Sequence, residues 1–403
     1  MADLVVRGAA NADDCALALD LMAKSFGPDY FFVARRLDAL MAGYPGFHRE
    51  HTRLAFRQGQ IAGALRITTD TIRIGEARLK MGGLGWIAVA GEFRGQGIAS
   101  AMIEDALAYM RRHSYHVSML FGIVDFYHRF GFTTMLSDYV TAVDVLEAEH
   151  AEHAPYKVRL GKPGDIPAIQ KLHNAGEADV ACSIVRSSAH LTNQWERWKA
   201  VRVITDARGK VQGYFLPRDV PEGLLVEEIG LASRDTCGAL LHACAHLALD
   251  RHAPKIRFTA PPSHLFLKYL LQYESKYEMQ VKRNRGGMMA VVNLEETLES
   301  MIPEWESGLQ QTALARENAE VTLLVDRKPF RVRAHRGALD VTPVSGDNKF
   351  SISPAEFVQL LSGYRYLDEV IPGQRRILTA TGRALLHILF PKRLPFVWPL
   401  DHF

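Results

Sequence analysis

The segment FRGQGIASAM, residues 93–102, carries the strongest chemical signal in the sequence. It places Arg94, Gly95 and Gly97 between a predicted strand, GWIAVA, and a predicted helix. Glycines let a backbone approach a ligand closely, and the free N–H groups and dipole of a helix start favour phosphate. Arg94 would add a charge-assisted contact to the same anion. The pattern Arg94-x-x-Gly97-x-Ala99 therefore predicts a phosphate site, and the alternative is an ordinary tight turn.

A second segment, DFYHRFGF at 125–132, offers a proton donor. Its Tyr127 precedes Phe130, Gly131 and Phe132, and we expect it at the far edge of the same sheet. A tyrosine hydroxyl with the usual pKa of about 10 is protonated at neutral pH, so it can act as a general acid. The alternative is an aromatic side chain buried at the start of a strand.

The stretch PFVWPLDHF, residues 395–403, differs from the polar, untethered tail in which most chains end. Its apolar side chains, Phe396, Trp398 and Leu400, predict that this stretch is buried. Burial would fix the position of the α-carboxylate of Phe403. The alternative is that the apolar end only completes the core of the last domain.

The composition is that of a globular protein and argues against several classes of partner. The 403 residues are 48% hydrophobic and 23% charged, with a net charge of +3 and no basic run, which disfavours nucleic-acid binding. No window reaches the ~20 apolar residues of a membrane span, and the first residues lack the apolar stretch of a signal peptide. The cysteines have no metal-binding or redox spacing, so we expect no metal and a reduced, cytoplasmic protein. They are Cys15, Cys182, Cys237 and Cys244.

Two parts of the chain begin in the same way. Residues 4–22 and 156–173 each read as a strand that turns into a helix, with an arginine and an aspartate six residues apart. The polar stretch 145–155 between them ends in proline and predicts a linker. From about residue 287 the order of predicted strands and helices changes. We therefore predict an α/β (α+β) fold with three domains, at 1–153, 154–286 and 287–403.

Together, the glycine loop and the tyrosine segment resemble the GNAT family, the GCN5-related N-acetyltransferases. The plan of the whole chain resembles a narrower group, the Eis-like (enhanced intracellular survival) acetyltransferases. This resemblance implies two tandem GNAT-like mixed-sheet domains, active at 1–153 and degenerate at 154–286, and then a sterol-carrier-like α+β domain at 287–403. It also implies a homo-oligomer, because Eis-like proteins are typically hexamers.

The resemblance further implies that acetyl-CoA is the co-substrate and that a primary amine attacks its thioester directly. Tyr127 would be the general acid, and the carboxylate of Phe403, supplied by the third domain, would be the base. Backbone N–H groups of 87–89 would polarise the thioester carbonyl. The implied acetyl-CoA-binding residues are Ile87, Ala88, Val89, Arg94, Gly95, Gln96, Gly97, Ile98 and Ala99.

The implied acceptor is an aminoglycoside-like amine, a polyamine or a lysine. In GNAT folds the acceptor cleft is lined by the region that corresponds to SFGPDYFF at 25–32. Eis-like enzymes have an acidic residue just before the terminal phenylalanine, whereas this chain has His402. Two alternatives follow: the pocket is less acidic than theirs, or its acid comes from Asp401. Core or turn positions are the alternative for the upstream residues. The predicted substrate residues are Asp29, Tyr30, Phe31, Trp86 and Asp401.

The predicted domains 1–153 and 154–286 are called the first and second copies here. The second copy departs from the glycine-loop pattern of the first. In RDTCGA, residues 234–239, Asp235 stands where the first copy has Gly95, and Cys237 stands where it has Gly97. A carboxylate repels phosphate, and a side chain obstructs the close approach of a ligand. We therefore expect no CoA binding by the second domain.

A competing hypothesis is a non-catalytic protein that senses acyl-CoA or binds lipid through residues 287–403. The intact loop at 94–97 favours the enzyme. A lipid site would also need a hollow apolar tunnel, which the last helix and the apolar end of the chain are expected to fill.

Overall fold

The computed structural model describes residues 4–26, 47–153, 155–187, 189–345, 349–372 and 378–403. Contacts divide the chain into two compact units. The first unit comprises Met1–Leu136, Lys282–Arg393 and Phe403, and the second comprises Ser137–Val281 and Leu394–His402. In the described ranges, no helix has both the length and the apolar character that crossing a bilayer requires.

Helices and strands are mixed along the chain, which confirms the predicted α/β (α+β) fold class. The described helices are α1 (Ala12–Phe26), α2 (Ile98–Arg112), α3 (Val145–Glu149), α4 (Ile166–Gly176), α5 (His190–Trp198), α6 (Cys237–Leu249), α7 (Leu265–Leu270), α8 (Leu294–Gln310), α9 (Pro354–Leu361) and α10 (Ala380–Leu389). The described strands are β1 (Leu4–Gly8), β2 (Thr52–Arg57), β3 (Gln60–Ile74), β4 (Ala77–Val89), β5 (Val117–Gly122), β6 (Thr133–Thr134), β7 (Asp138–Asp144), β8 (Lys157–Leu160), β9 (Arg202–Thr205), β10 (Val211–Val220), β11 (Gly223–Leu231), β12 (Lys255–Phe258), β13 (Ser275–Gln280), β14 (Gly286–Val291), β15 (Asn318–Val325), β16 (Lys328–His335), β17 (Ala338–Pro343) and β18 (Lys349–Ile352).

The first unit is built around a seven-stranded sheet with the order β1-β2-β3-β4-β5-β14-β6. Neighbouring strands are antiparallel except β4 and β5, which run parallel. Consecutive residues of a strand point to opposite faces. Leu65 packs in the cluster that contains α2, whereas Ala64 packs in the cluster that contains α1. The two helices therefore cover opposite faces of this sheet.

A second, four-stranded sheet of the first unit has the order β17-β16-β15-β18. Its side chains Val332 and Phe350 are fully buried. Trp305 of α8 is also fully buried, and its Nε1–H donates to the carbonyl oxygen of Leu389 at 2.9 Å. The indole lies edge-on to Phe390 with ring centroids 6.5 Å apart. Large side chains thus fill the core beside this sheet.

The second unit contains a seven-stranded sheet with the order β13-β7-β12-β11-β10-β9-β8, in which β11 and β12 are parallel. Helix α6 packs into its main core through Leu240, Leu241 and Cys244. Phe396 and Trp398 belong to the same core, so the predicted burial of the 395–400 stretch is found here. The backbone N–H of Phe396 donates to the carbonyl oxygen of Ala181 at 2.9 Å.

Two strands pair away from the domains in which the sequence placed them. Strand β7, within the predicted domain 1–153, lies in the sheet of the second unit between β13 and β12. Strand β14, at the start of the predicted domain 287–403, lies in the sheet of the first unit between β5 and β6. A hydrophobic pattern shows which face of a strand is buried but not which neighbour it pairs with. The three-domain division itself stays a prediction.

A cluster of ionised groups is buried in the second unit around Arg186. Its guanidinium donates to the two oxygens of Glu228 at 2.6 and 2.7 Å and to the two oxygens of Asp401 at 2.9 and 3.0 Å. The hydroxyl of Tyr214 donates to Glu228 at 2.7 Å, and His190 Nε2 lies 3.2 Å from Asp401. Removing one partner of such a buried pair typically costs about 3–5 kcal/mol, because the other charge is left uncompensated. The cluster therefore fixes the chain at Asp401.

Glu177, also buried in the second unit, gives a test of this interior. Burial raises the pKa of Glu177 to about 8, because its ionised form is desolvated, and the nearby carboxylate of Glu228 adds to the rise. The folded state therefore holds a proton that the unfolded state releases above pH 4.5, so the stability conferred by neutral Glu177 is lost as the pH rises toward 8.

We expect Glu177→Gln to remove this pH dependence. One pKa unit corresponds to about 1.4 kcal/mol, so the wild-type free energy of unfolding should fall relative to the variant by on the order of 3 kcal/mol between pH 5 and pH 8. Urea titrations at both pH values measure it. The exposed Glu147→Gln provides the control. Parallel pH curves for wild type and Glu177→Gln would contradict the prediction.

Candidate active site

The glycine loop of the first unit adopts the conformation that the phosphate prediction requires. Gly95 and Gly97 have φ of 75° and 80°, in the left-handed region that favours glycine. Gly97 is the N-cap residue of α2, and no side chain caps this helix start. A Cβ atom at either glycine would meet nothing within 4 Å. The left-handed backbone conformation therefore favours glycine at both positions, and open space lies where their side chains would be.

Side chains of the predicted acetyl-CoA-binding residues are divided between the core and the surface. Ile98 is buried against the α2 side of the sheet, so only its backbone faces the loop. Ile87 and Val89 are partly buried on that side, and Ala88 is buried on the α1 side. The exposed set is Arg94, Gly95, Gln96 and Gly97, and Ala99 is half-buried.

Strands β4 and β5 separate beside this loop. Their parallel register runs from Met81 opposite Val117 to Leu84 opposite Leu120, where the pairing of described residues ends. Strand β4 nevertheless continues to Val89. The two strands therefore leave an opening between them, and β4 presents its backbone to that opening.

A bulge in β4 lies at the same point. The register between β3 and β4 passes from Ala64 opposite Ala88 to Arg66 opposite Gly85, so β4 carries an extra residue. Trp86 sits in the bulge with a φ of 56°, a conformation that is rare for a bulky residue. Backbone strain of this kind clusters at functional sites.

Phe403 lies on β4 at this opening. A Cβ atom on Gly83 would come 2.5 Å from the ring of Phe403, and one on Gly85 would come 2.5 Å from its carboxyl carbon. The ring also lies beside Phe121 of β5, with ring centroids 5.6 Å apart. The terminal carboxylate therefore rests against the backbone of Gly85, in space that two absent side chains leave open.

Tyr127 lies on β5 at the same opening. It begins the short 3-10 turn Tyr127–Phe130, and a Cβ atom on Gly122 would come 2.6 Å from its ring. The ring packs edge-on against Phe126 and Phe132. No described residue forms a hydrogen bond with its hydroxyl. Burial raises the pKa of Tyr127 above its usual value of 10, so the hydroxyl holds its proton at neutral pH.

The two predicted catalytic groups approach the opening from opposite faces of the sheet. Phe403 contacts Phe121, and Tyr127 contacts Gly122, the next residue of β5. Since consecutive strand residues face opposite ways, the carboxylate lies on the α1 face and the tyrosine on the α2 face. The structure thus gathers the glycine loop, Tyr127 and Phe403 around the separated ends of β4 and β5.

The predicted substrate residues have different outcomes. Asp29, Tyr30 and Phe31 lie outside the described residues. Trp86 is partly buried and stands edge-on to Phe26, with ring centroids 5.2 Å apart. Asp401 is corrected by the structure, because it is buried in the second unit.

Both carboxylate oxygens of Asp401 already accept hydrogen bonds from Arg186. These contacts hold the pKa of Asp401 far below its usual range, against the opposing effect of burial. A buried and doubly bonded carboxylate offers no free oxygen for a cationic substrate. Asp401 is instead held by Arg186 in the interior of the second unit.

The loop of the second copy has lost the phosphate geometry. Arg234–Thr236 forms a 3-10 turn, and α6 begins directly at Cys237, which is fully buried. A Cβ atom on Gly238 would collide with the carbonyl oxygen of Glu152, so another part of the second unit packs on this helix start. Residues 233–239 are all described, and none of them has a positive φ. The loop conformation thus differs from that of the first copy, and the absence of CoA binding by this domain stays a prediction.

Sequence reasoning did not identify Gly83 and Gly85 as the positions against which Phe403 packs. The surface formed by these two glycines is called the seat of Phe403 below. A glycine inside a strand often marks a close backbone approach, so the run MGGLGW at 81–86 carried the signal. In the described ranges, no group of three or more histidine, cysteine, aspartate or glutamate side chains could hold a metal ion.

Comparison with known proteins gives a family for the first part of the chain. Residues 9–135 match the family model described as Acetyltransferase (GNAT) domain. This range contains the glycine loop, the opening between β4 and β5 and Tyr127. The match supports an acyltransferase enzyme. No curated protein matches the chain.

Three solved structures share the fold over the full length of the chain. A probable N-acyltransferase of unknown function from Enterococcus faecalis has a TM-score of 0.78 at 15% identity and 99% coverage of both chains. A GCN5-related N-acetyltransferase from Anabaena variabilis has a TM-score of 0.74 at 18% identity, covering 99% of this chain and 100% of that one. Eis1 from Mycobacterium abscessus has a TM-score of 0.66 at 15% identity, with the same two coverages.

The seat of Phe403 predicts the effect of a single methyl group. We expect Gly85→Ala to displace the terminal carboxylate and to lower kcat by about 10- to 100-fold, since small misplacements of reacting groups cost this much. Steady-state acetyl transfer measures it, with circular dichroism to confirm folding. Gly91→Ala is the matched control, because its Cβ atom would meet nothing within 4 Å. An unchanged kcat in Gly85→Ala would show that the carboxylate has no part in the reaction.

The left-handed loop predicts a separate effect on acetyl-CoA. An alanine at a left-handed position costs about 1–2 kcal/mol, so Gly97→Ala should distort the helix start and raise the KM for acetyl-CoA roughly 10-fold. Gly209 of the second unit is the matched control, since it has a φ of 79° and equally open surroundings. Gly209→Ala should leave KM unchanged. Equal rises in KM for both variants would point to a general loss of order.

Proposed function

We propose that this chain, which carries a GNAT acetyltransferase domain over residues 9–135, transfers an acetyl group from acetyl-CoA to a primary amine. The observation that carries the proposal is the position of the terminal carboxylate. It rests on Gly85 at the opening between β4 and β5, and Tyr127 reaches the same opening from the other face. A base and an acid thus flank one gap in the sheet.

Acetyl-CoA is proposed to lie along the loop and enter the opening. The N–H groups at the start of α2 hold its phosphates, where the helix dipole favours an anion. The pantetheine arm then follows the free edge of β4 at 87–89, whose backbone groups hydrogen-bond its amides. A backbone N–H of this edge also polarises the thioester carbonyl.

The proposed reaction is a direct transfer. The carboxylate of Phe403 accepts a proton from the substrate ammonium, directly or through a water molecule, since an amine of pKa roughly 8–10 is mostly charged at neutral pH. The neutral amine nitrogen attacks the thioester carbonyl carbon, gives up its second proton to solvent, and the carbon–sulfur bond breaks. The carboxylate passes the first proton on to solvent. The leaving thiolate takes a proton from Tyr127, and solvent restores the hydroxyl. The products are the N-acetyl amine and CoA.

The acceptor is proposed as a class. An anionic carboxylate at the cleft favours a cationic amine, which fits an aminoglycoside-like compound, a polyamine or a lysine. The competing proposal is a non-catalytic protein that senses acyl-CoA or binds lipid. The filled core around Trp305 gives the lipid-binding proposal no support. The sterol-carrier likeness of 287–403 and the hexamer remain parts of the proposal that rest on resemblance. The cytoplasmic location is a further part, and it rests on the cysteine spacing and composition.

Release of the CoA thiol from acetyl-CoA tests the proposal, with a panel of aminoglycosides, polyamines, lysine peptides and arylamines. A variant with one glycine added after Phe403 moves the carboxylate off Gly85, and we expect it to lose about 10²- to 10⁴-fold in kcat. Phe403→Leu is the matched control, because it keeps a carboxylate at the same position. We expect Tyr127→Phe to bind acetyl-CoA normally and to lose rate by a similar factor.

The outcomes separate the hypotheses. Full turnover in the glycine-extended variant would keep the enzyme and remove the terminal carboxylate as base. Binding of acetyl-CoA without turnover of any amine by the wild type would favour the sensor. The amine with the highest kcat/KM names the acceptor class.

A further inference from the structure

Three arginine side chains surround the start of α2. Arg57 donates to Gln96 Oε1 at 2.5 Å, Arg94 Nε donates to the carbonyl oxygen of Val89 at 3.4 Å, and Arg129 Nη2 donates to Ser100 Oγ at 3.2 Å. No carboxylate in the described ranges pairs with any of the three. The first turn of α2 carries no acidic residue either. Three uncompensated cations beside an uncapped helix start favour a multiply charged anion.

Arg129 differs from the other two arginines because it comes from the segment that carries Tyr127. Its guanidinium lies over the ring of Phe126 at 4.3 Å and near that of Phe130 at 5.1 Å, measured to the ring centroids. Ser100 is the third residue of α2, so the guanidinium stands at the first turn of the helix. A guanidinium has five N–H donors, and the bond to Ser100 uses one of them. Arg129 as a whole is an exposed residue.

The aromatic contacts orient this group before any ligand binds. A guanidinium stacked on rings loses less freedom when it binds, and its planar donors match the oxygens of a phosphate. Arg129 and Tyr127 lie two residues apart in the same short turn, Tyr127–Phe130. An anion that bridges Arg129 to the first turn of α2 therefore ties that turn to the phosphate loop.

We propose that Arg129 is a positioning residue that binds the diphosphate of acetyl-CoA and thereby fixes the turn carrying Tyr127. The inference rests on the proposed function, since it takes acetyl-CoA as the ligand of the loop. It assigns the contact to the diphosphate, because this group is the one placed at the N–H groups of α2. Arg129 acts on the reaction through the position of Tyr127.

Calorimetry with CoA and with dephospho-CoA tests the binding part without requiring turnover. We expect Arg129→Gln to weaken both ligands by the same factor, about 10- to 100-fold, as for loss of a charged hydrogen-bonded pair. Arg129→Lys should recover part of the affinity, because it restores the charge without the planar donors. His128→Gln, an exposed neighbour in the same turn, is the matched control and should bind both ligands as the wild type does.

Kinetics with a truncated thioester test the positioning part. S-acetylpantetheine has no diphosphate, so Arg129→Gln should lower kcat with acetyl-CoA about 10-fold and change turnover of S-acetylpantetheine less than twofold. Equal losses with both thioesters would show that Arg129 only maintains the fold, and would overturn the proposal.

Other outcomes overturn it as well. Weaker binding of CoA with unchanged binding of dephospho-CoA would place Arg129 on the 3′-phosphate. Unchanged binding of both ligands would remove Arg129 from the site. If the wild type binds CoA but transfers acetyl to no amine, the proposed function fails, and the calorimetry still decides whether Arg129 holds the diphosphate.

Discussion

The candidate site depends on the absence of side chains at two positions of one strand. Gly83 and Gly85 lie on the same face of β4, and the ring and carboxylate of Phe403 occupy the volume that their side chains would fill. The parallel pairing with β5 ends between these glycines, at Leu84. A chain end can therefore lie flat on the backbone at the point where the sheet opens. Side chains at these two positions would close the seat.

The buried cluster of the second unit gives the end of the chain its own fixed point. Asp401 is held by Arg186, which is held in turn by Glu228, and Phe396 and Trp398 pack in the main core of that unit. Two residues later, Phe403 groups with the first unit. The 396–401 segment is thus held within the second unit by paired charges as well as by apolar contacts.

Local sequence patterns predicted the parts of the site that local structure creates. The spacing of Gly95 and Gly97 before a helical pattern was enough to predict the loop, because left-handed glycines and a helix start are set by neighbouring residues. The presence of Asp235 and Cys237 was enough to predict that the second copy lacks this glycine-loop conformation. The fold class followed from alternating helix and strand periods.

Features that depend on contacts between distant residues were out of reach of such patterns. The pairing of β14 beside β5, the contact of Arg129 with Ser100 and the burial of Asp401 against Arg186 all join residues far apart in the sequence. Asp401 shows the problem most clearly. An aspartate near the end of a chain looks exposed and available to a cation, and only its pairing with an arginine 215 positions away reveals a buried anchor.

The proposed acid and the proposed base lie on opposite faces of the sheet, which has a chemical consequence for the proposed mechanism. If the carboxylate accepted a hydrogen bond from the tyrosine hydroxyl, it would be less available to the ammonium, and the hydroxyl would be less available to the thiolate. The sheet separates them, because Phe403 lies on the Phe121 side of β5 and Tyr127 on the Gly122 side. Only a molecule bound in the gap between β4 and β5 would then contact both the carboxylate and the hydroxyl. A thioester in that gap would meet an approaching amine from the carboxylate side and expel its thiolate toward the tyrosine, so the proton released in the first step and the proton supplied in the second follow separate routes. Burial raises the pKa of Tyr127, so in the proposed mechanism its hydroxyl still carries a proton when the thiolate forms.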